Sequence, residues 1–267
     1  MIELEASTPN AEPWLLQKLS AWGFTTLTDI QKKALAAGAA NGESLIVSAP
    51  TSSGKTLIAE IAALAALRKG MRVLYLVSHR ALADQKHLDF EKRFGEQSDD
   101  PMATVGLSTG DRSEGDVDAQ LQVATYEKAI GLLLNGQIRP ESTLVIADEL
   151  QILSDPNRGP DIEALCAIFR QRKVKQFLAL TATVENPSDL AGWMNCAVVQ
   201  SSERSTPLHQ EIWTAGRVYT VTFGQEEGIE TARPITGNDL HAVVSSLLSG
   251  YKSNRINWLP VSPKLLS

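Results

Sequence analysis

Eight consecutive residues combine small side chains, one lysine and a terminal hydroxyl: Ala49, Pro50, Thr51, Ser52, Ser53, Gly54, Lys55 and Thr56. Backbone N–H groups in such a loop can turn inward around an anion. A helix starting at the lysine adds its partial positive charge. Lys55 can reach the outer phosphates of a nucleotide, and the Thr56 hydroxyl can ligate Mg²⁺. Far along the chain an apolar run, 144–147, ends in Asp148 and Glu149. That order pushes two carboxylates out of a strand end, one for a Mg²⁺ shell and one to polarise water. A Ser/Gly turn before an ordinary helix and an acidic pair capping a turn are the plainer readings. Both motifs in one chain favour a P-loop nucleotide site with ATP and Mg²⁺ as ligands.

Hydrophobic patterning supplies the elements that must position these groups. Apolar runs at 45–48, 72–77, 104–107, 121–124, 143–147, 176–180 and 197–199 read as buried strands. Helix-like stretches lie between them, at 28–40, 57–67, 81–94, 125–134, 161–172 and 187–194, with a further helix at 13–19. The alternation implies an α/β fold, a parallel sheet with helices on both faces. In such sheets ligands bind beyond the carboxyl ends of the strands. The motifs fall after the strands ending at Ser48, Val77, Leu107, Ala124, Ala147 and Leu180.

The 267 residues are 43% hydrophobic, enough for a sizeable core, and carry a net charge of −6. That balance argues against a broad basic face for bulk capture of nucleic acid. It leaves room for a local site built from backbone amides and a few cations. Two cysteines, Cys166 and Cys196, sit in no metal-ligand spacing, and no zinc site is expected. The acidic start lacks the apolar core of a signal peptide, and the reading is a soluble, cytoplasmic protein.

The ordered set Ala-Pro-Thr-Ser-Ser-Gly-Lys-Thr at 49–56, Asp-Glu at 148–149 and Thr-Ala-Thr at 181–183 resembles motifs I, II and III of superfamily 2 helicases. The stretches 148–163 and 181–195 are similar to the DExH, superkiller-like branch. The resemblance covers about residues 20–225 and implies a RecA-like lobe. It implies adenine recognition by Gln31, with Phe24 upstream, since a planar amide reads both donor and acceptor edges. It implies nucleic-acid phosphate contacts from Arg80 and from Thr125, with Ser108, Thr109 and Gly110 on the same rim. For these loops ordinary helix caps remain the competing reading. The resemblance also implies a coupling role for Gln151, Thr181 and Thr183. The chain departs from the pattern at Ala49, where Gly is usual, and at Gln151, where the branch has His. Arg158 and Glu163 read as a structural ion pair.

Residues 1–205 are thus expected to form the ATP-binding lobe. Residues 206–267 should add linker strands, a helix at 238–248 and a tail, the start of a second lobe. No stretch like the second lobe's arginine-rich motif appears in the sequence. Removing such an arginine costs on the order of 10³–10⁵ in rate, so slow or negligible hydrolysis is expected of this chain alone. A non-catalytic nucleotide- or partner-binding module is the alternative, and a P-loop ATPase of another class a third.

Overall fold

A computed structural model describes residues 12–110, 113–114, 118–184, 186–203, 210–214, 217–222, 228–234 and 236. The chain divides into two compact units, 1–206 and 207–267.

The first unit is built on an eight-stranded sheet. Its strands are β1 (Leu45–Ser48), β2 (Arg72–Val77), β3 (Val105–Ser108), β4 (Ser113–Glu114), β5 (Leu121–Thr125), β6 (Thr143–Ala147), β7 (Gln176–Thr181) and β8 (Ala197–Gln200). Their spatial order is β4-β3-β5-β2-β6-β7-β1-β8. All neighbours run parallel except the two-residue β4, which pairs antiparallel to β3 at one edge. Among the described residues seven helices cover the faces: α1 (Pro13–Ala21), α2 (Asp29–Ala36), α3 (Lys55–Arg68), α4 (Arg80–Arg93), α5 (Tyr126–Leu134), α6 (Gly159–Gln171) and α7 (Pro187–Met194).

Alternation along each strand sends side chains into two cores. Val47, Tyr75, Ile146 and Leu180 face α1–α4, whereas Ile46, Leu74, Val145 and Ala179 face α5–α7. Helix α3 is buried from Leu57 through Leu67, which explains why its sequence is apolar on all sides. Glu60 is the exception on that helix. Burial pushes its carboxyl up, and the Arg93 guanidinium of α4, 3.1 Å away, opposes that shift.

In the first unit the expected strands and helices are present, most with ends shifted by a residue or two. Helix α2 stops at Ala36 rather than Ala40, because Gly38 enters the left-handed region (φ +95°). Two short 3-10 turns, Pro140–Ser142 and Leu150–Ser154, and the strand β4 were not anticipated. In the second unit, where linker strands were expected, β9 (Gln210–Thr214) and β10 (Arg217–Thr222) form a hairpin, and β11 (Gly228–Pro234) adds a third antiparallel strand. The helix expected at 238–248 lies outside the described residues.

At the sheet's amino-terminal edge the last turns of α1, α3 and α4 line a cleft of about 790 Å³. Lys18, Arg68, Lys92 and Arg93 there offset the negative ends of three helices. The Arg68 and Arg93 guanidinia lie 4.4 Å from the Trp14 and Trp22 ring centroids.

A buried amide fixes the connection into β1. Gln176, 2% exposed, donates through Nε2 to the carbonyls of Ala39 (2.9 Å) and Glu43 (3.0 Å). Gln176→Leu leaves both carbonyls without that donor and is expected to cost about 2 kcal/mol. A urea titration checks this; an unchanged midpoint would show that water replaces the amide without loss.

Candidate functional site

Strands β6, β7 and β1 are adjacent, so Asp148, Thr181 and the 49–56 loop emerge side by side at one rim. Strands β3, β5 and β2 are the next adjacent set, and they deliver Ser108, Thr125 and the 78–80 turn to the same rim.

The 49–56 loop is held from behind. Ser52 (φ +64°) and Gly54 (φ +92°) take left-handed conformations that turn the chain into α3. A Cβ at Gly54 would overlap the Gln31 amide, so only glycine fits. Gln31 Nε2 donates to the Gly54 carbonyl at 2.9 Å, and its Oε1 accepts from the Thr28 N–H at 2.9 Å. The Thr28 hydroxyl donates to the Ser53 carbonyl at 3.0 Å. Gln31 is therefore 5% exposed and braced against the loop, with one hydrogen and one lone pair of its amide left over for any adenine contact. Phe24 sits in the turn after α1, partly buried against the α1–α4 core. Asp29, beside this brace, has its carboxyl held below the usual range by hydrogen bonds from Lys33 and Ser201.

These residues fit a phosphate chain with Mg²⁺. Lys55 Nζ donates to the carbonyls of Ala49 (2.6 Å) and Pro50 (2.8 Å), so its charge is already drawn over the loop. Ser53 Oγ is buried without a hydrogen-bond partner among the described residues, a polar atom suited to a ligand oxygen. Thr51, Ser52 and Thr56 are exposed at the loop's mouth. No group of three or more His, Cys, Asp or Glu suited to a metal occurs among the described residues. Mg²⁺ is held by one or two protein groups plus phosphates, a need that Thr56 and Asp148 can meet.

Two fully buried tyrosines that sequence reading missed hold Asp148. Tyr75, from the α1–α4 side, donates its hydroxyl to Asp148 Oδ2 at 2.6 Å. Tyr126, from the α5–α7 side, donates to the Asp148 backbone carbonyl at 2.8 Å. Burial raises both phenols well above their ordinary values, so both remain neutral donors. Asp148 Oδ1 accepts from the Glu149 N–H at 3.0 Å. Glu149 is exposed and left-handed (φ 55°, ψ 44°), a conformation costing a non-glycine residue on the order of 1–3 kcal/mol and typical of functional positions. In the sequence Tyr75 looks like one more core residue of an apolar strand, and nothing local marks its hydroxyl.

Gln151 joins the strand ends. Its Oε1 accepts from Thr181 Oγ1 (3.2 Å) and from the Ala182 N–H (3.0 Å). The Thr181 carbonyl in turn accepts from the Ala49 N–H (3.2 Å), and Ser48 Oγ donates to the Ala182 carbonyl (3.3 Å). Thr183 is exposed beyond this cluster.

The second half of the rim is more enclosed than expected. Ser108 and Thr109 are 1% and 3% exposed, and Ser108 Oγ accepts from Gln122 Nε2 at 2.9 Å inside the fold. Gly110 is exposed and packs so close to the Arg80 guanidinium that a Cβ would overlap it. Thr125 caps α5, its hydroxyl accepting from the Lys128 N–H at 3.4 Å. Arg80 thus remains exposed on this rim, while the side chains of Ser108, Thr109 and Thr125 lie mostly inside. The pairing of Arg158 with Glu163 does not occur. Arg158 bonds Glu127 through Nε (2.8 Å) and Nη2 (2.6 Å). Residues five apart on a helix do not share a face, so Glu163 is out of register. The two thiols are outside this chemistry: burial pushes Cys166 up to about 12 and Cys196 up to about 11.

Residues 28–190 match the family model described as DEAD/DEAH box helicase. The chain belongs to the DEAD/DEAH box helicase family. It is 38% identical over 230 residues to the ATP-dependent DNA helicase Hel308 of Methanocella arvoryzae, covering 82% of this chain and 30% of that protein. It is 35% identical over 231 residues to the DExH-box ATP-dependent RNA helicase DExH15, chloroplastic, of Arabidopsis thaliana, covering 80% of this chain and 19% of that one. The chain therefore spans a third or less of these helicase relatives. In fold it is similar to a hypothetical ATP-dependent RNA helicase from Sulfolobus tokodaii (TM-score 0.55, 22% identity, 72% of this chain and 57% of the other). It is also similar to S. cerevisiae Dbp5 bound to RNA and ADP BeF3 (TM-score 0.58, 20% identity, 72% and 51%). This confirms the expected RecA-like α/β helicase lobe. No helix among the described residues is long and apolar enough to cross a membrane.

Removing the Tyr75 hydroxyl with Tyr75→Phe leaves a carboxylate oxygen short of a buried donor and is expected to cost about 2 kcal/mol. Tyr126→Phe, which deprives only a neutral carbonyl, should cost about 1 kcal/mol. Chemical unfolding of both variants checks the order, and a larger loss from Tyr126→Phe would contradict it.

Proposed function

We propose that this chain is the ATP-binding motor lobe of an ATP-dependent helicase or translocase of the superfamily 2 DExH type. It would couple ATP hydrolysis to movement on DNA or RNA. One observation carries the reading: the Gln151 amide oxygen bonds Thr181 and Ala182, and Thr181 bonds the first residue of the phosphate loop. A change at the loop therefore has a direct hydrogen-bonded route to the segment after Asp148–Glu149.

Lys55, Ser53, Gly54 and the loop amides would hold the phosphates, with Gln31 on the adenine edge. Thr56 and Asp148 would share Mg²⁺, which supplies charge neutralisation on the phosphate oxygens. Glu149, exposed at the rim, would orient and polarise water. Arg80, the Gly110 backbone and the amino terminus of α5 would meet a nucleic-acid backbone. Such contacts carry no base information, in keeping with relatives named as DNA and as RNA helicases. A second RecA-like lobe would complete the cleft. The reading places the protein in the cytoplasm.

Lys55→Ala is expected to weaken binding of a fluorescent ATP analogue by this chain at least roughly tenfold, the loss of one charged phosphate contact. Glu149→Gln should retain that binding while abolishing nucleic-acid-stimulated ATP turnover in the protein paired with its second lobe. Turnover by the chain alone that Glu149→Gln abolishes would overturn the need for a second lobe. Binding indifferent to Lys55 would overturn the nucleotide site.

A further inference from the structure

The segment running from Gln151 to α6 makes structural contacts at both ends. Gln151 at its start bonds Thr181 and Ala182 on the hydrolysis side. Arg158 at its end reaches the other half of the rim. Its guanidinium pairs with Glu127 through Nε and Nη2, and Nη2 also donates to the Ser78 carbonyl. Ser78 precedes Arg80 in the loop after β2, and Glu127 lies in the first turn of α5, two residues after Thr125. One planar side chain thus fastens both loops expected to face phosphates.

The delivery of Arg158 is rigid. Asp155 Oδ1 accepts from the N–H groups of Asn157 (2.8 Å) and Arg158 (3.0 Å), and the Asp155 carbonyl accepts from the Gly159 N–H (2.8 Å). Those amide bonds hold the Asp155 carboxyl below the usual range. Gly159 packs against the Leu153 carbonyl so closely that any Cβ would overlap it. Gln151 and Arg158 are therefore two ends of one braced element.

We propose that Arg158 is a positioning residue for nucleic-acid grip. It holds the loops at 78–80 and 125–127 in register with the Asp148–Gln151 segment. It also neutralises Glu127, whose carboxylate would otherwise repel a phosphate at the amino terminus of α5. Arg158 acts through Arg80 and Thr125 rather than by touching phosphate. The inference rests on the reading of this rim as a nucleic-acid face.

The test is the salt dependence of binding of a labelled single-stranded oligonucleotide, as DNA and as RNA, to the full chain. Losing a direct phosphate contact, as in Arg80→Ala, lowers the slope of log affinity against log salt by about 0.7. Arg158→Ala is expected to weaken binding roughly tenfold with an unchanged slope, a size typical of coupled neighbours. Arg158→Lys should recover only part of the loss, because an ammonium cannot serve both acceptors in one plane. The double variant with Glu127→Gln should lose less than the two single losses combined. ATP-analogue binding should stay at the wild-type level in every Arg158 variant, which separates the effect from misfolding. Unchanged oligonucleotide affinity in Arg158→Ala, with Arg80→Ala impaired, overturns this inference alone. A slope reduced as in Arg80→Ala overturns it in favour of direct contact. No oligonucleotide binding by the wild-type chain overturns the nucleic-acid reading and this inference together.

Discussion

Six parallel strands buried on both faces, with the largely exposed β8 at one edge, leave polar chemistry little room except at the ends of the sheet. Every parallel strand finishes at the same rim, so whatever follows a strand is delivered there. The phosphate loop, Asp148–Glu149, the Thr181 turn and the 78–80 turn meet for this reason, although 133 positions separate Ser48 from Thr181. The strand order divides the rim. Strands β6, β7 and β1 carry the groups suited to nucleotide, and β3, β5 and β2 carry those expected to meet a backbone.

Within that frame a few buried polar side chains set the geometry. Gln31 and Thr28 brace the loop, Tyr75 and Tyr126 hold Asp148 from opposite layers, and Gln151 ties the segment after β6 to the end of β7. Their partners are mainly backbone carbonyls or other motif residues, so each loop's position depends on its neighbours. An amide is well suited to this, since it donates and accepts at once. Gln31 shows the point, donating to the Gly54 carbonyl while accepting from the Thr28 N–H; at Gln151 one amide oxygen collects both the Thr181 hydroxyl and the Ala182 N–H.

Much of the architecture was legible because periodicity reports burial. Short continuous apolar runs marked the strands, and an all-apolar α3 marked a helix enclosed on every side. The motif residues were legible because small residues, Lys-Thr and Asp-Glu are scarce in these contexts. The short elements were not: β4 has two residues, and the turn at 150–154 carries no period to detect. Helix α2 was read four residues too long, because a glycine inside a run of alanines does not show in sequence that it takes the left-handed conformation Gly38 adopts.

By itself the sequence determined the fold class, the strand and helix order, and the places after β1 and β6 of the 49–56 loop and the carboxylate pair. Each is a local pattern, written in consecutive residues. The tertiary structure alone decided which side chains complete the site. Tyr75 is 73 residues from Asp148, and Arg158 is 31 from Glu127 and 80 from Ser78. The family resemblance of the 148–163 stretch suggested Glu163 as the partner of Arg158, but helical geometry puts those two on different faces. Packing of α5 and α6 against one sheet face brought the true partners together, a long-range outcome that no local pattern encodes.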